Sequence, residues 1–248
     1  MYSNNMSRDH THSQHFLRSP KIVAELIGHS NIRKNDLVYD LGAGSGVITS
    51  VLAKRCRHVV AVELEPKALA TLKRNVTDLS NVTIIKKDIL QIEAPQEPYK
   101  IFANIPFHIS APIVRMLTSA QNPPKSIYLI TQKQFAKKLV PGQDHFTSQL
   151  SAEIGAFFTV RIRRPLRKTD FTPPPAVDTV LLEIKPREEF LIPREQMTTY
   201  QDFVKQSFSS QPFFQKLPRV KLGISPELRP SQLSLEQLRD LYLAYKKQ

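Results

Sequence analysis

The residues Asn104, Ile105, Pro106 and Phe107 follow an apolar run that has the composition of a buried strand. An amide, a proline and an aromatic ring in this order can bind an aminopurine. The exocyclic amine of adenine is a poor nucleophile because its lone pair is delocalised into the ring. Two hydrogen-bond acceptors aimed at the amine protons would favour the more pyramidal nitrogen that alkylation requires.

The Asn104 side-chain oxygen and the Ile105 main-chain carbonyl can supply these two acceptors. Pro106 fixes its own φ and thereby holds the direction of that carbonyl. Phe107 offers a flat face on which an unstacked base can lie. We therefore interpret this turn as an adenine-binding element; the alternative is a strand-ending turn with a core phenylalanine.

A glycine-rich segment follows an earlier apolar run and precedes a helical pattern: Asp40-Leu41-Gly42-Ala43-Gly44-Ser45-Gly46. Glycines allow a tight turn here and let a ligand approach the main chain closely. A dinucleotide fingerprint would need its third glycine at position 47, which is Val47, and no triphosphate-binding GxxxxGK[ST] sequence occurs. The segment indicates either a nucleoside-type ligand or a plain tight turn.

Two carboxylates make the ligand interpretation more specific. Glu63 ends the second predicted strand, roughly 20 residues beyond the glycines, where an acid can accept hydrogen bonds from ribose hydroxyls. Asp88 follows the third predicted strand and could accept a hydrogen bond from an adenine amine. Together with the glycines, these acids predict an adenosine pocket at the carboxyl ends of the strands, at the topological switch point.

The elements that must position these residues alternate between strand and helix patterns, which predicts βαβ units and a mostly parallel sheet of the α/β class. Strands are predicted at 37–41, 58–63, 82–88, 100–104 and 126–131, and two further strands, FTVRIRR and DTVLLEI, flank the sequence FTPPPA. Helical periodicity dominates after Pro186. We predict a mobile polar segment over 1–18, a catalytic domain over 19–186 and a small helical RNA-binding-associated domain over 187–248.

The net charge of +13 implies a polyanionic partner, most simply nucleic acid. Cys56 is the only cysteine, which excludes an intramolecular disulfide and a cysteine-cluster zinc site, and no metal is predicted. No apolar run approaches the length of a membrane span, and the N-terminus has no signal-peptide pattern, so we expect a cytoplasmic protein without a membrane partner. The alternative for the charge is solubility alone.

Two groups of cations are candidates for binding RNA phosphates near the base pocket, although either group could be only a solvated face. The first group comes shortly before Phe171 and comprises Arg161, Arg163, Arg164, Arg167 and Lys168. The second comprises Lys133, Lys137 and Lys138.

The glycine segment, Glu63, Asp88 and Asn-Ile-Pro-Phe, in this order, resemble the S-adenosylmethionine-dependent rRNA adenine N6-methyltransferases, and most closely the Erm group. Ser13-Gln14-His15-Phe16-Leu17 resembles that family's N-terminal cofactor motif, in which asparagine often stands at the position of His15. Phe171 with Pro173-Pro174-Pro175 resembles the motif whose phenylalanine lies against the target adenine. The resemblance spans nearly the whole chain.

The resemblance implies a Rossmann-like class I methyltransferase fold, S-adenosylmethionine as cofactor and 23S rRNA as partner, with macrolide–lincosamide–streptogramin B resistance as the outcome; we expect a monomer. It places the flipped base among Asn104, Ile105, Pro106, Phe107 and Phe171. It places the cofactor among Gln14, His15, Phe16, Leu17, Asp40, Gly42, Ala43, Gly44, Gly46, Glu63, Leu64, Asp88, Ile89 and Asn104.

Relatives that dimethylate small-subunit rRNA share this plan, but they usually carry leucine at the position of Ile105 and commonly proline at that of Ala43. Both differences favour the Erm group. A DNA adenine methyltransferase could use the same chemistry, but the helical tail is small for a target-recognition domain. A non-catalytic RNA-binding factor on the same fold is a further possibility. An NAD-dependent oxidoreductase is disfavoured by Val47.

Overall fold

A computed structural model describes residues 16–142 and 146–247. The first half of the chain alternates strands and helices: β1 (Phe16–Leu17), α1 (Pro20–Gly28), β2 (Leu37–Leu41), α2 (Val47–Ala53), β3 (His58–Val62), α3 (Pro66–Asn75), β4 (Val82–Ile85), β5 (Tyr99–Asn104), α4 (Ser110–Ser119) and β6 (Ser126–Gln132). The second half comprises α5 (Lys133–Leu139), α6 (Gln149–Gly155), β7 (Phe158–Leu166), β8 (Phe171–Thr172), β9 (Thr179–Pro186), α7 (Met197–Ser209), α8 (Gln211–Lys216) and α9 (Leu235–Tyr245).

The main sheet of the described chain has seven strands in the order β4-β3-β2-β5-β6-β9-β7. The five strands from β4 to β6 are parallel, and β9 pairs antiparallel with both β6 and β7. The predicted mostly parallel α/β sheet is thus confirmed. Because β5 lies beside β2, the sheet order reverses there, and this is the crevice in which open α/β sheets bind ligands.

Local sequence signals explain where several helices begin. The Ser19 hydroxyl accepts a hydrogen bond from the Lys21 amide ahead of Pro20, which occupies the first turn of α1 as predicted. The Glu65 carboxylate accepts from the amides of Lys67 and Ala68 at the start of α3. Such caps satisfy main-chain donors that have no partner inside the helix.

Hydrophobic side chains cover the sheet on both faces, as strands with continuous apolar runs require. One cluster lies beneath α1 and α2 and contains Leu26, Phe102 and Leu181. The opposite cluster joins the sheet to the C-terminal helices through Tyr200 and Tyr242, whose rings pack edge to face at 5.3 Å between centroids. The C-terminal helices therefore share a core with the sheet, while the predicted boundary at residue 187 stays a prediction.

Several short elements were not predicted from the sequence, α5 and a ribbon of β1 with β8 among them. Helix α5 begins directly at the end of β6, and β1 pairs with β8 in a separate two-stranded ribbon. Both elements are short, so their local patterns carry little periodicity. In the part of the chain that the structure describes, no helix is both long and apolar enough to span a bilayer.

Candidate cofactor and adenine site

Three segments that are distant in sequence meet at the switch point. A Cβ atom on Gly42 would lie 3.3 Å from Cδ1 of Ile89 and 3.9 Å from Cδ of Pro106. The turn after β4 and the turn after β5 therefore both lie close to Gly42. These segments are close enough to line one pocket, and the binding of a ligand by Gly42, Ile89 and the Asn104–Phe107 turn stays a prediction.

The glycines of the segment adopt a conformation that other residues rarely take. Gly42, Gly44 and Gly46 have φ values of 73°, 56° and 86°, in the left-handed region that favours glycine. The amides of Gly42 and Ala43 both donate to the Val62 carbonyl, at 2.8 and 3.0 Å. The segment thus turns tightly across the end of β3, with Ala43 buried beneath it.

Glu63 is held in one orientation by main-chain amides. Its Oε2 accepts from the Gly44 amide at 2.8 Å, and its Oε1 accepts from the amides of Leu64 and Glu65 at 2.9 and 2.8 Å. A carboxylate has roughly four acceptor positions, so capacity for a ligand hydroxyl remains. The side chain of Leu64 is 52% exposed next to this carboxylate and offers apolar surface to a ligand.

Asp88 lies at the end of the neighbouring strand. Its Oδ1 accepts from the Leu90 amide at 2.9 Å and caps the short 3₁₀ turn Ile89–Gln91. The residue is half-buried, and Ile89 after it is buried against Gly42. The cap fixes the orientation of this carboxylate, and its predicted contact with an adenine stays a prediction.

Asp40 is the most deeply buried acid of the site. Its Oδ2 accepts from the Thr49 hydroxyl at 2.6 Å, whereas its buried Oδ1 has no hydrogen-bond partner in the structure. Burial raises the pKa of Asp40 to about 7, opposed by the Thr49 hydrogen bond and reinforced by the charge of Glu63. This oxygen is fully buried, so its missing partner adds to the cost of ionising Asp40, and the oxygen offers no acceptor to a ligand in this conformation.

The Asn104–Phe107 turn is fixed by its neighbours in the sheet and in α4. Asn104 is the last residue of β5 and pairs with Ile130 of β6, and Pro106 has φ −60°, as expected. The buried Ser110 hydroxyl lies 2.9 Å from the Phe107 carbonyl, to which it donates, and 3.2 Å from Oγ1 of the buried Thr131.

Asn104 and Phe107 are both half-buried, and therefore both retain surface that a substrate can contact.

The N-terminal ribbon reaches the glycine segment through Phe16. A Cβ atom on Gly44 would lie 2.8 Å from Cε1 of Phe16, so this ring already packs against the glycine. Leu17 is buried in the core beside it. Gln14 and His15, predicted to bind the cofactor, lie outside the described residues.

The structure corrects the role predicted for Phe171. Its side chain has no exposed surface and belongs to the hydrophobic cluster that contains Leu17 and Phe102. A ring with no free face cannot stack on a base in this conformation. The reason is that β8 pairs with β1, which brings Phe171 opposite Leu17 and into the core.

The predicted cations occupy different places. Lys133, Arg167 and Lys168 lie just beyond the ends of β6 and β7, at the same edge of the sheet as Asn104. The Lys168 ammonium donates to the Ala176 carbonyl at 2.8 Å. The remaining predicted cations lie along β7 or on α5: Arg161, Arg163, Arg164, Lys137 and Lys138.

Sequence reasoning missed three hydroxyl groups at this site: Thr49, Ser110 and Thr131. Thr49 touches Asp40 from nine positions later in the chain, and Thr131 comes from a different strand than Ser110. Hydroxyl residues are common in every kind of element, and no local pattern marks these pairs. The one local signal was Ser110 directly after the Phe107 turn, in a position to bond back to it.

A Rossmann-like sheet with this glycine segment, two strand-end carboxylates and the Asn104 turn belongs to the S-adenosylmethionine-dependent methyltransferases. Gly42, Gly44 and Gly46 carry no side chain that could block a ligand, and this fits that cofactor.

Comparison with known proteins then gives the family. Residues 5–216 match the family model described as ribosomal RNA adenine dimethylase. The chain therefore belongs to this family of rRNA adenine N6-methyltransferases, which use S-adenosylmethionine.

Individual relatives agree with this assignment. The chain is 32% identical over 203 residues to a "Ribosomal RNA small subunit methyltransferase, mitochondrial" of Arabidopsis thaliana, matching 80% of this chain and 52% of that protein. It thus spans about half the length of the plant protein. It is 31% identical to an "rRNA adenine N-6-methyltransferase" of Limosilactobacillus reuteri, covering 94% of this chain and 95% of that one. The crystal structure of the 23S rRNA methyltransferase ErmE has a TM-score of 0.80 at 24% identity, covering 93% of this chain and 99% of that one, which shows a shared fold.

Proposed function

We propose that this protein transfers methyl groups from S-adenosylmethionine to N6 of an adenine in 23S rRNA, and that this mark confers macrolide–lincosamide–streptogramin B resistance. The observation that carries the proposal is the contact of Gly42 with both Ile89 and Pro106. It brings a turn suited to an adenine amine against a pocket suited to an adenosine-containing cofactor.

S-adenosylmethionine supplies an activated methyl group on its sulfonium centre. Glu63 and Asp88 would hold the ribose and adenine of the cofactor, with Leu64 and Ile89 as apolar neighbours. Phe16 would close the pocket from the N-terminal side, because it already packs on Gly44.

The substrate adenine would be held by edge and by face. Asn104 and the Ile105 carbonyl accept from its amine protons, and Phe107 stacks on its ring. A base stacked in a helix cannot reach a recessed pocket, so the adenine must be flipped out. Catalysis then rests on positioning and on hydrogen-bond acceptors rather than on a strong general base.

Two residues support the large-subunit substrate over the small-subunit one. Ile105 and Ala43 stand where the small-subunit relatives usually carry leucine and commonly proline, and this favours the Erm group. Both residues are buried. Each lies in a turn that would contact a ligand in our proposal. The second candidate, dimethylation of small-subunit rRNA, is favoured by the name of the Arabidopsis relative.

The deciding experiment is to map N6-methyladenine in rRNA from matched cells with and without the gene. A new mark in the peptidyl-transferase region of the large subunit, with reduced macrolide binding, is the expected result. A mark found in small-subunit rRNA alone would replace our proposal with the second candidate.

An Asn104→Ala variant supplies the mechanistic test. Loss of one of the two acceptors should lower the methyl-transfer rate at least about 100-fold, the usual effect of removing one preorganised hydrogen-bonding group from a transition state. The melting temperature should change little, because Asn104 is half-buried at a strand end. Methyl transfer close to that of the wild type would refute the role of Asn104.

Calorimetric titration of the wild-type protein with cofactor completes the test. A non-catalytic RNA-binding factor would show no cofactor binding. We expect stoichiometric binding, and we expect the Asn104→Ala variant to retain most of its RNA affinity.

A further inference from the structure

Strand β7 carries three arginines whose side chains lie on one face of the sheet. Arg161 pairs in register with Glu183 of β9, and Arg164 pairs with Leu181. The register shifts between Ile162 and Arg164, so Arg163 is an extra residue in a bulge. Alternation along the strand already places Arg161 and Arg163 on one face, and the bulge brings Arg164, which would otherwise point to the opposite face, to that face as well.

Ion pairs confirm where these arginines point. Arg163 lies 3.8 Å from Glu183, and Arg164 contacts Glu25 of α1. Leu181, two residues before Glu183 in β9, belongs to the cluster beneath α1. The arginines therefore share the α1 side of the sheet, along its β7 edge.

Glu183 acts as a buried support for this surface. Its carboxylate accepts from the Tyr128 hydroxyl at 2.7 Å and contacts Lys185 Nζ at 2.7 Å. The Lys185 and Arg163 side chains are 33% and 38% exposed, while that of Glu183 is 5% exposed. Although burial works in the opposite direction, hydrogen bonds from Lys185 and Tyr128 and the nearby cations lower the pKa of Glu183. One ionised carboxylate thus holds two cations in place with their outer sides open to solvent.

We call Arg161, Arg163, Arg164 and Lys185 the β7 flank. Four cations here face two carboxylates, Glu183 and Glu25, which leaves an excess of positive charge. In the described chain, no carboxylate lies within ion-pair distance of Arg161, which is exposed.

The β7 flank is separate from the adenine site. Arg164 lies three strands from Asn104 at the same position along the strands. The register connects the two residues through Ile130 of β6 and Leu181 of β9. At a strand spacing of about 4.8 Å, this separation is roughly 14 Å. Arg161 lies three residues further from the carboxyl edge of the parallel strands. At 3.3 Å per residue, this adds about 10 Å along the strand direction. The main chain of the flank therefore lies well to one side of Asn104.

We propose that the β7 flank is a second RNA-binding surface, which holds backbone phosphates of the substrate RNA away from the target adenine. This inference rests on the proposed function for the identity of the RNA. The four side chains offer charge and no ring for a base to stack on, so the contact is with phosphates and is independent of sequence. Cations held in place by a buried carboxylate lose less side-chain entropy when they bind phosphates.

Another explanation of the same arginines is protection of the sheet edge. Strand β7 is an edge strand, and charged side chains on an edge prevent pairing with a second copy. The two explanations differ in what an arginine variant loses: RNA affinity in our proposal, and the monomeric state in the alternative.

The test compares Arg161→Ala/Arg163→Ala with the control Lys73→Ala/Arg74→Ala. Lys73 and Arg74 are exposed cations of α3, which follows β3 near the opposite edge of the sheet, so the control removes the same charge elsewhere. Affinity for an rRNA fragment that contains the target and its flanking helix is measured by fluorescence anisotropy at several salt concentrations. Cofactor affinity and the transfer rate at saturating RNA are measured alongside.

We expect the flank variant to bind RNA about tenfold more weakly at low salt. The slope of log affinity against log salt should become shallower by about 2, because two phosphate contacts are lost and each duplex phosphate contact contributes about 0.9 to the slope. Its cofactor affinity and its saturated rate should stay within about twofold of the wild type. The control should bind RNA as the wild type does. A second variant, Arg161→Glu, leaves the Arg163–Glu183 pair in place and guards against misfolding; it should also weaken RNA binding.

Equal RNA affinity and salt slope in the flank and control variants would overturn the proposal. If the flank variant self-associates but keeps its RNA affinity, the proposal is also overturned, and protection of the sheet edge explains the arginines. A failure of the proposed function is distinguishable from this result. If the wild type methylates no rRNA, the proposed function is wrong, whereas binding of the RNA fragment to the flank is still measured directly by anisotropy.

Discussion

Replacing Gly44 with alanine should separate the strain of the glycine segment from its ligand-binding role. Gly44 has φ 56°, and an added Cβ would lie 2.8 Å from Cε1 of Phe16. Gly223 has a similar φ of 69° but nothing within 4 Å of an added Cβ. The two substitutions therefore share a backbone cost and differ in the steric contact.

The magnitudes follow from this comparison. A non-glycine residue in the left-handed region costs about 1–2 kcal/mol, which for a chain of this size lowers the melting temperature by about 2–4 °C per kcal/mol. We expect similar losses from both variants, because Phe16 is 37% exposed and can move aside. Only Gly44→Ala changes the pocket, since the methyl group and the displaced Phe16 ring occupy the surface that the cofactor approaches. Its cofactor affinity should fall at least about tenfold, or 1.4 kcal/mol.

The assay is calorimetric titration of each variant with S-adenosylhomocysteine, together with thermal unfolding by circular dichroism. Equal cofactor affinity in Gly44→Ala and Gly223→Ala would refute the placement of the cofactor against Gly44. A much larger stability loss in Gly44→Ala would show instead that Phe16 is held rigidly.

Three further predictions concern buried groups. Burial raises the pKa of Asp40 to about 7 from 3.8. As the pH rises from 4 to 7, the free energy of unfolding should therefore fall by up to about 4 kcal/mol because of this one group. Chemical denaturation of Asp40→Asn should show a weaker dependence of stability on pH in this range. Ser110→Ala leaves the Phe107 carbonyl without its hydroxyl donor, so methyl transfer should slow about tenfold while calorimetry shows unchanged cofactor affinity. Gly155→Ala places a Cβ 2.7 Å from Cδ1 of Leu235 in α9, which should cost about 1–3 kcal/mol in urea unfolding.

Each of these predictions has a contradicting result. An identical pH dependence of stability in the wild type and Asp40→Asn would show that Asp40 is ionised at every pH tested. Equal losses of cofactor affinity and rate in Ser110→Ala would mean that Ser110 stabilises the whole pocket and not the adenine turn. Unchanged stability in Gly155→Ala would show that α9 shifts freely on α6.

Much of the fold could be predicted because its signals are local. Alternating apolar and helical patterns indicated the order of strands and helices, and Ser19-Pro20 marked the start of α1. The contact between Gly42 and Pro106 followed from topology, because the carboxyl ends of parallel strands meet at one edge of a sheet. Helix α5 was missed because it follows β6 without a break in the sequence pattern.

What the sequence alone determined is the chemistry available at the strand ends: the glycines, Glu63 and the amide of Asn104. Tertiary structure decided which of these groups are free to act. Pairing of β8 with β1 buried Phe171, and a register shift in β7 turned Arg164 to the α1 side. Burial and register depend on residues that are far apart in the chain and come together only on folding, so no local pattern could reveal them.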